Sequence, residues 1–166
     1  MDQSIKSLNI VFLAAGTGKR ISNFSKKPKS LLKLGNETIL EKNLKIWEKI
    51  GFKKIFIVLG YKGKLIEKNL KKINTHFKIN KTYNKNYIKY GNSYSLLLAL
   101  KRINGAAIIF DGDLVYDKKI LLSFLKHRYK NSILTGPGNI NDKECAKVLL
   151  DKIGNVKKII DKQKIT

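Results

Sequence analysis

The stretch Ile10-Val11-Phe12-Leu13-Ala14-Ala15-Gly16-Thr17-Gly18-Lys19-Arg20 passes from a continuous apolar block into a small, glycine-containing, basic loop. An unbroken apolar run that stops at a glycine turn is the pattern of a strand buried on both faces of a parallel sheet. A glycine loop after such a strand can bring backbone N–H groups against an anion, because no Cβ blocks the approach and positive φ costs glycine little. Arg20 adds a planar fork for phosphate oxygens, and Lys19 and Lys29, the latter behind Pro28, add mobile ammonium groups. Leu13, Ala14, Ala15, Gly16, Thr17, Gly18 and Lys19 are therefore candidate phosphate-binding residues. The plainer alternative is a tight strand-to-loop turn with solvated lysines.

Working outward from this loop, the chain alternates strand and helix. From Thr38 to Ile50 the apolar Leu40, Leu44 and Trp47 recur at helical spacing, and Gly51 follows where a helix would stop. Lys54 to Leu59 predicts a second buried strand closed by Gly60, and Ile66, Leu70 and Ile73 mark another amphipathic helix. A third strand is expected near Lys78 to Tyr83, a helix over residues 92 to 103, a strand over Ala106 to Phe110 running into Asp111-Gly112-Asp113, and a helix from about Lys118 to Tyr129. Val148 to Leu150 and Val156 to Ile160 flank a Gly154-Asn155 turn and predict a hairpin. Such alternation predicts an α/β fold, with a mostly parallel sheet covered on both faces, right-handed crossovers and ligands beyond the carboxyl ends of the strands. The glycine loop and Asp111-Gly112-Asp113 both fall at such ends.

Composition bounds the reading. The 166 residues, 43% hydrophobic, suffice for one domain with a real core. No apolar run approaches the roughly 20 residues of a membrane span, and the N-terminus lacks a cleavable leader pattern, so a soluble cytoplasmic protein without a membrane partner is expected. Cys145 is the single cysteine, which excludes an intrachain disulfide or a Cys-based zinc site and predicts a buried or inert thiol. The net charge of +23 would ordinarily raise nucleic-acid binding. Lysine, however, supplies all of the 35 basic residues except Arg20, Arg102 and Arg128, and it is scattered among many Asn and Ile. That is the mark of coding bias, whereas phosphate and base recognition leans on bidentate Arg, so nucleic acid is not the expected partner. His76 and His127 have no partner at metal or catalytic spacing, and nothing in the sequence sets an oligomeric state.

Two better-known glycine loops are excluded by spacing. A Walker loop needs four residues between its glycines and Ser or Thr after its Lys, but one residue separates Gly16 from Gly18, and Arg20 follows Lys19. A dinucleotide fingerprint needs a third small residue where Ile21 stands and a helix directly after it, whereas the segment from Ser22 to Ser30 is lysine-rich and broken by Pro28.

Four stretches in order, LAAGTGKR, KPKSLLKLGNETILEKNLKIWEKIGFKKIFIVLGYK, GNSYSLLLAL and IIFDGDLVY, resemble the sugar-phosphate nucleotidyltransferase superfamily (MobA-like NTP transferase domains) with its Gly-x-Gly-x-Arg and Pro-Lys signature. The likeness is greatest to its cytidylyltransferase branch, which includes choline-phosphate and inositol-phosphate cytidylyltransferases. It implies a Rossmann-like three-layer α/β/α sandwich, a GT-A-like nucleotidyltransferase fold, ending here in a C-terminal β-hairpin. It also implies a nucleoside triphosphate, CTP by the branch, a small phosphorylated acceptor such as phosphocholine or inositol phosphate, and magnesium. Carried over by position, Arg20 would hold the β- and γ-phosphates and Lys29 would bridge the α-phosphate and the incoming phosphate. Asp113 would bind the metal, with Asp111 a weaker candidate for the metal or for orienting the loop. Asp-Gly-Asp is also good turn chemistry. Gly91, Asn92 and Ser93 would meet base and ribose, although Asn92 or Ser93 is equally a good helix N-cap. Tyr83, Tyr87, Tyr90 and Tyr94 could line an acceptor pocket, or simply pack.

Members of this superfamily usually continue past such a hairpin, and a later strand supplies a second metal-binding acid and much of the acceptor pocket. This sequence stops at Thr166, so residues 1–166 are expected to form a nucleotide-binding domain without its C-terminal acceptor-side portion. Asp151 and Asp161 sit in no matching motif. Two other readings stay open: a sugar-1-phosphate uridylyl- or guanylyltransferase, and a catalytically incomplete nucleotide-binding module.

Overall fold

The computed structural model describes residues 3–21, 23–127, 131–138, 141–142 and 145–160, without the side chains of Gln3, Ser4 and Arg20. The chain divides into two compact units, Met1–Leu122 and Ser123–Thr166.

The first unit runs α1 (Gln3–Ser7), β1 (Asn9–Ala14), short 3-10 turns at Lys19–Ile21 and Lys29–Leu31, β2 (Lys33–Leu34), β3 (Glu37–Thr38), α2 (Ile39–Ile50), β4 (Lys54–Leu59), α3 (Gly63–Leu70), β5 (Lys78–Tyr83), α4 (Asn92–Leu100) and β6 (Ala107–Asp111), and reaches α5 (Lys118–Leu125). Strands β5, β4, β1 and β6 form, in that order, a wholly parallel sheet, and β2 and β3 a small antiparallel ribbon. Every residue of β1 is buried, as its unbroken apolar run requires of a central strand covered on both faces. Alternate side chains take opposite faces. Val11, Leu13, Phe56 and Val58 pack with Ala99 of α4, while Phe12 meets Trp47 of α2 edge-on with ring centroids 5.5 Å apart. Helices thus cover both faces of the sheet, giving the expected three layers.

Local chemistry sets the helix ends. Thr38 and Glu41 form a reciprocal capping box at the start of α2, and Gly51, at φ 103°, ends it in the left-handed conformation. Two helices stop before their apolar pattern does: α3 ends at Leu70, leaving Ile73 outside, and α4 ends at Leu100 with Ile103 in the following turn. Neither ends in a glycine cap: the C-cap residues are Lys71 and Lys101, both in the right-handed helical region. The expected end of α5 at Tyr129 lies outside the described residues.

In the second unit, β7 (Lys147–Leu150) and β8 (Val156–Ile160) pair antiparallel with an irregularity between Leu149 and Leu150. Asp151 builds the turn: its Oδ1 accepts the N–H groups of Ile153 at 3.0 Å and Asn155 at 2.8 Å, and Gly154 takes φ 87°. These bonds hold the Asp151 carboxyl below its ordinary pKa, Asn155 contributing most. Cys145 is exposed rather than buried, with Sγ 3.2 Å from Asp142 Oδ2. No described helix is long and apolar enough to cross a membrane.

Candidate functional site

Strand order reverses at β1: the chain first builds outward through β4 and β5, then returns to place β6 on the other side. In a parallel sheet such a reversal leaves a crevice beyond the strand ends. Register sets the crevice contents, because Leu13 pairs with Asp111 and the Gly112 N–H donates to Leu13 O at 2.9 Å. A Cβ on Gly112 would lie 2.6 Å from Leu13 O, and one on Gly60, at the end of β4, 2.6 Å from Ala15 O. The exit of β1 is therefore gripped from both sides by glycines that permit backbone-to-backbone approach.

The cleft above this grip is lined by Leu13, Ala14, Gly16, Gly18, Pro28, Lys29, Ser30, Asn92, Asp111, Gly112 and Asp113. Its volume of about 110 Å³ is below the roughly 300–1,000 Å³ of a pocket that engulfs a small molecule, so it suits an anionic end and a cation rather than a whole nucleotide. Lys29 Nζ donates to Asp113 Oδ2 at 2.7 Å, both groups being partly exposed. Gly18 makes this reach possible. It sits at φ 66°, and a Cβ there would come 3.2 Å from Lys29 Cγ, so the bare α-carbon leaves room for the lysine stem. At Gly16 a Cβ would meet nothing within 4 Å, and its backbone lies outside the left-handed region.

Asn92 enters from the start of α4. The N-cap there is Gly91, without a side-chain cap bond, and Asn92 Nδ2 instead donates to Asp111 Oδ1 at 3.0 Å. Neither Asn92 nor Ser93 caps the helix. The helix is anchored by the buried Asn84, whose Nδ2 donates to Ser95 Oγ at 3.0 Å and whose N–H donates to Leu59 O at 2.8 Å. Burial of its carboxyl and the charge of Asp113 raise the Asp111 pKa above its ordinary value, Lys29 opposing them.

Of the sequence-derived candidates, Leu13, Ala14, Gly16, Gly18, Lys29, Asn92, Asp111 and Asp113 converge on the cleft, while Ala15 is buried behind it and Thr17, Lys19, Gly91 and Ser93 are not among its lining. Arg20 falls in the first 3-10 turn, but its side chain lies outside what the structure describes, as does Asp161. Tyr83, Tyr87, Tyr90 and Tyr94 do not line the cleft. Tyr83 donates to Glu67 at 2.6 Å, Tyr87 packs on Tyr61, and Tyr90 packs on Tyr94. Ser30 was not anticipated: it is 3% exposed, and its Oγ has no hydrogen-bond partner. Its only sequence signal was its place beside Lys29.

Among the described residues no three His, Cys, Asp or Glu side chains gather into an all-protein metal cage. Asp111 and Asp113 at the end of one strand nevertheless fit magnesium, which takes one or two carboxylates and completes its shell with phosphate and water.

The sequence pattern of MobA-like NTP transferase domains matches residues 10–138. Choline-phosphate cytidylyltransferase of Haemophilus influenzae is 31% identical over 121 residues, 72% of this chain and 50% of that protein. A bifunctional sugar-1-phosphate nucleotidylyltransferase/acetyltransferase of Sulfurisphaera tokodaii is 28% identical over 155 residues, 92% of this chain and 36% of that one. This chain therefore spans half or less of the length of these relatives. The inositol-1-phosphate CTP transferase structure from T. maritima superposes with a TM-score of 0.70 at 22% identity, covering 93% of this chain and 64% of that one. With its glycine loop, Pro28-Lys29 and strand-end carboxylates lying on one sheet edge and inside the matched span, the chain belongs to the MobA-like NTP transferase domain family.

Proposed function

We propose that the chain is the nucleotide-handling part of a cytoplasmic, magnesium-dependent nucleotidyltransferase that moves CMP from CTP to a small phosphorylated alcohol, such as phosphocholine or an inositol phosphate. The observation that carries this reading is the convergence of the glycine loop, Lys29, Asp111 and Asp113 at the carboxyl end of β1 and β6. CTP and the acceptor class rest on the names of the cytidylyltransferase relatives.

In the reaction an acceptor phosphate oxygen attacks the α-phosphorus of CTP. The bond from that phosphorus to the oxygen bridging the β-phosphate breaks, and its electron pair leaves with pyrophosphate. The attacking oxygen is already anionic, so no side chain has to remove a proton, and the work of the site is positioning and charge neutralisation. Lys29 supplies one mobile ammonium group, which leaves Asp113 for the phosphates that meet at the α-phosphorus. Arg20 offers its fork to the β- and γ-phosphates. The open α-carbon of Gly16 lets the loop backbone approach phosphate oxygens. Asn92 holds Asp111 from the helix side. Asp113 and Asp111 would hold magnesium, which would supply Lewis-acid neutralisation of phosphate charge.

A second reading, transfer of a uridylyl or guanylyl group to a sugar 1-phosphate, is favoured by the Sulfurisphaera relative, whose name gives that substrate class. Incubation with each of four nucleoside triphosphates, magnesium and candidate acceptors, read as pyrophosphate release, separates the two. CTP should exceed the others with phosphocholine or inositol phosphate, and equal rates with all four would overturn the cytidylyl assignment. Lys29→Ala should lower kcat/KM by about 10²–10³-fold, as loss of one preorganised charge contact does. Nucleotide binding without any pyrophosphate release would leave a binding module.

A further inference from the structure

The outer face of α2 borders a second cavity, of about 270 Å³, that shares no lining residue with the cleft. Lys42, Lys45 and Lys49 stand along one wall at helical spacings that put them on the same side of α2. Glu37 is the one carboxylate in the lining, and it pairs with Lys45 and, at 3.9 Å, with Lys42. Nearby Glu41 is already engaged by Thr38 in the capping box. Its charge remains, so three ammonium groups against two carboxylates leave a net positive charge suited to an anion.

Apart from Asn43, the remaining wall is largely apolar. Ile39 and Ile46 come from α2, and Leu114, Val115 and Tyr116 from the segment after Asp113. Val115 is 59% exposed. Tyr116 is fixed at both ends, its hydroxyl accepting from Trp47 Nε1 at 2.7 Å and its ring stacked on Phe110 with centroids 5.6 Å apart. An exposed apolar wall facing a lysine wall across a cavity near the lower size limit of small-molecule pockets is amphipathic in the manner of an organic anion site.

We propose that this cavity is a second, accessory binding site for a small organic phosphate monoester, its phosphate against Lys42, Lys45 and Lys49 and its flat or aliphatic body against Val115 and Tyr116. The cavity adjoins the cleft through Leu114, which accepts from Asn43 Nδ2 at 3.0 Å, donates its N–H to Asp111 O at 3.2 Å and directly follows Asp113. The proposal does not depend on the transfer reaction.

Phenyl phosphate and inorganic phosphate, titrated separately into the whole chain by calorimetry and amide NMR, test it. Phenyl phosphate should bind about tenfold more tightly than inorganic phosphate, a preference worth one decade in affinity, and should shift the amides of residues 42–49 and 114–116. Lys45→Met with Lys49→Met should weaken it about tenfold, Val115→Asp should erase the preference over inorganic phosphate, and Lys29→Ala should leave the amide shifts of residues 42–49 and 114–116 unchanged whatever it removes at the cleft. Circular dichroism should show the Lys45, Lys49 and Val115 variants folded, because these positions are exposed. Equal affinity for the two anions would show that the lysines merely gather charge and would overturn the site. So would binding that is lost with Lys29→Ala and retained without Lys45 and Lys49.

Discussion

Asp111 sits between Asn92, which donates to its Oδ1, and Asp113, whose charge opposes its own. Burial of its carboxyl is the larger cause of its raised pKa. An acid with a raised folded pKa is destabilising when ionised, so this penalty is full above the folded pKa and disappears as pH falls through it to the ordinary carboxylate range. Asp111→Asn should therefore raise the melting temperature of the ligand-free chain at neutral pH. The gain over wild type should close on acidification, and a constant gain at all pH values would refute the cause. At this scale Lys29 and Asp113 were legible in sequence because each belongs to a spaced motif. Asn92 was legible as a cleft residue but not in its partner: helix-start statistics favour a cap, and only the packing of α4 over β1 and β4 brings the amide to Asp111. Ser30 gave no signal beyond its place next to Lys29, since a hydroxyl buried without a partner is a property of surroundings and not of a letter.

The glycines of the strand exits separate stability from binding. Gly112→Ala would drive a Cβ into Leu13 O, and a backbone oxygen cannot swing aside, so the β1–β6 pairing must open at a cost of about 1–3 kcal/mol. Gly16→Ala meets no neighbour and no unfavourable φ, and should leave stability unchanged or raise it by about 0.4–1 kcal/mol through the unfolded state. Nucleotide affinity, measured by calorimetry, should nevertheless fall for Gly16→Ala. Chemical denaturation of both variants checks the first half, and a Gly16→Ala chain that binds CTP as wild type would remove that glycine from the cradle. Strand positions were read closely from the sequence because buried apolar blocks end abruptly at Gly60 and Asp111. Helix ends at Leu70 and Leu100 were placed too late, because apolar periodicity continues into turns that pack on the same core.

Across the molecule, alternation of strands and helices announced a parallel sheet, but not the order β5, β4, β1, β6. Order is a pairing choice made over long loops, and no local propensity encodes it. The grip on β1 has a consequence in time. Its exit loop is made early in synthesis, whereas β6, which sets Asp111 against Leu13, is made long after. Contacts so distant in sequence form late, after a large loss of chain entropy. A chain ending at Asn104 should accordingly show nucleation of β1 with β4 but neither phosphate binding nor slow amide exchange at Leu13, as hydrogen exchange would record. If the glycine loop binds phosphate as proposed, that affinity and the protection of Leu13 should appear together, at the chain length that first lets β6 dock.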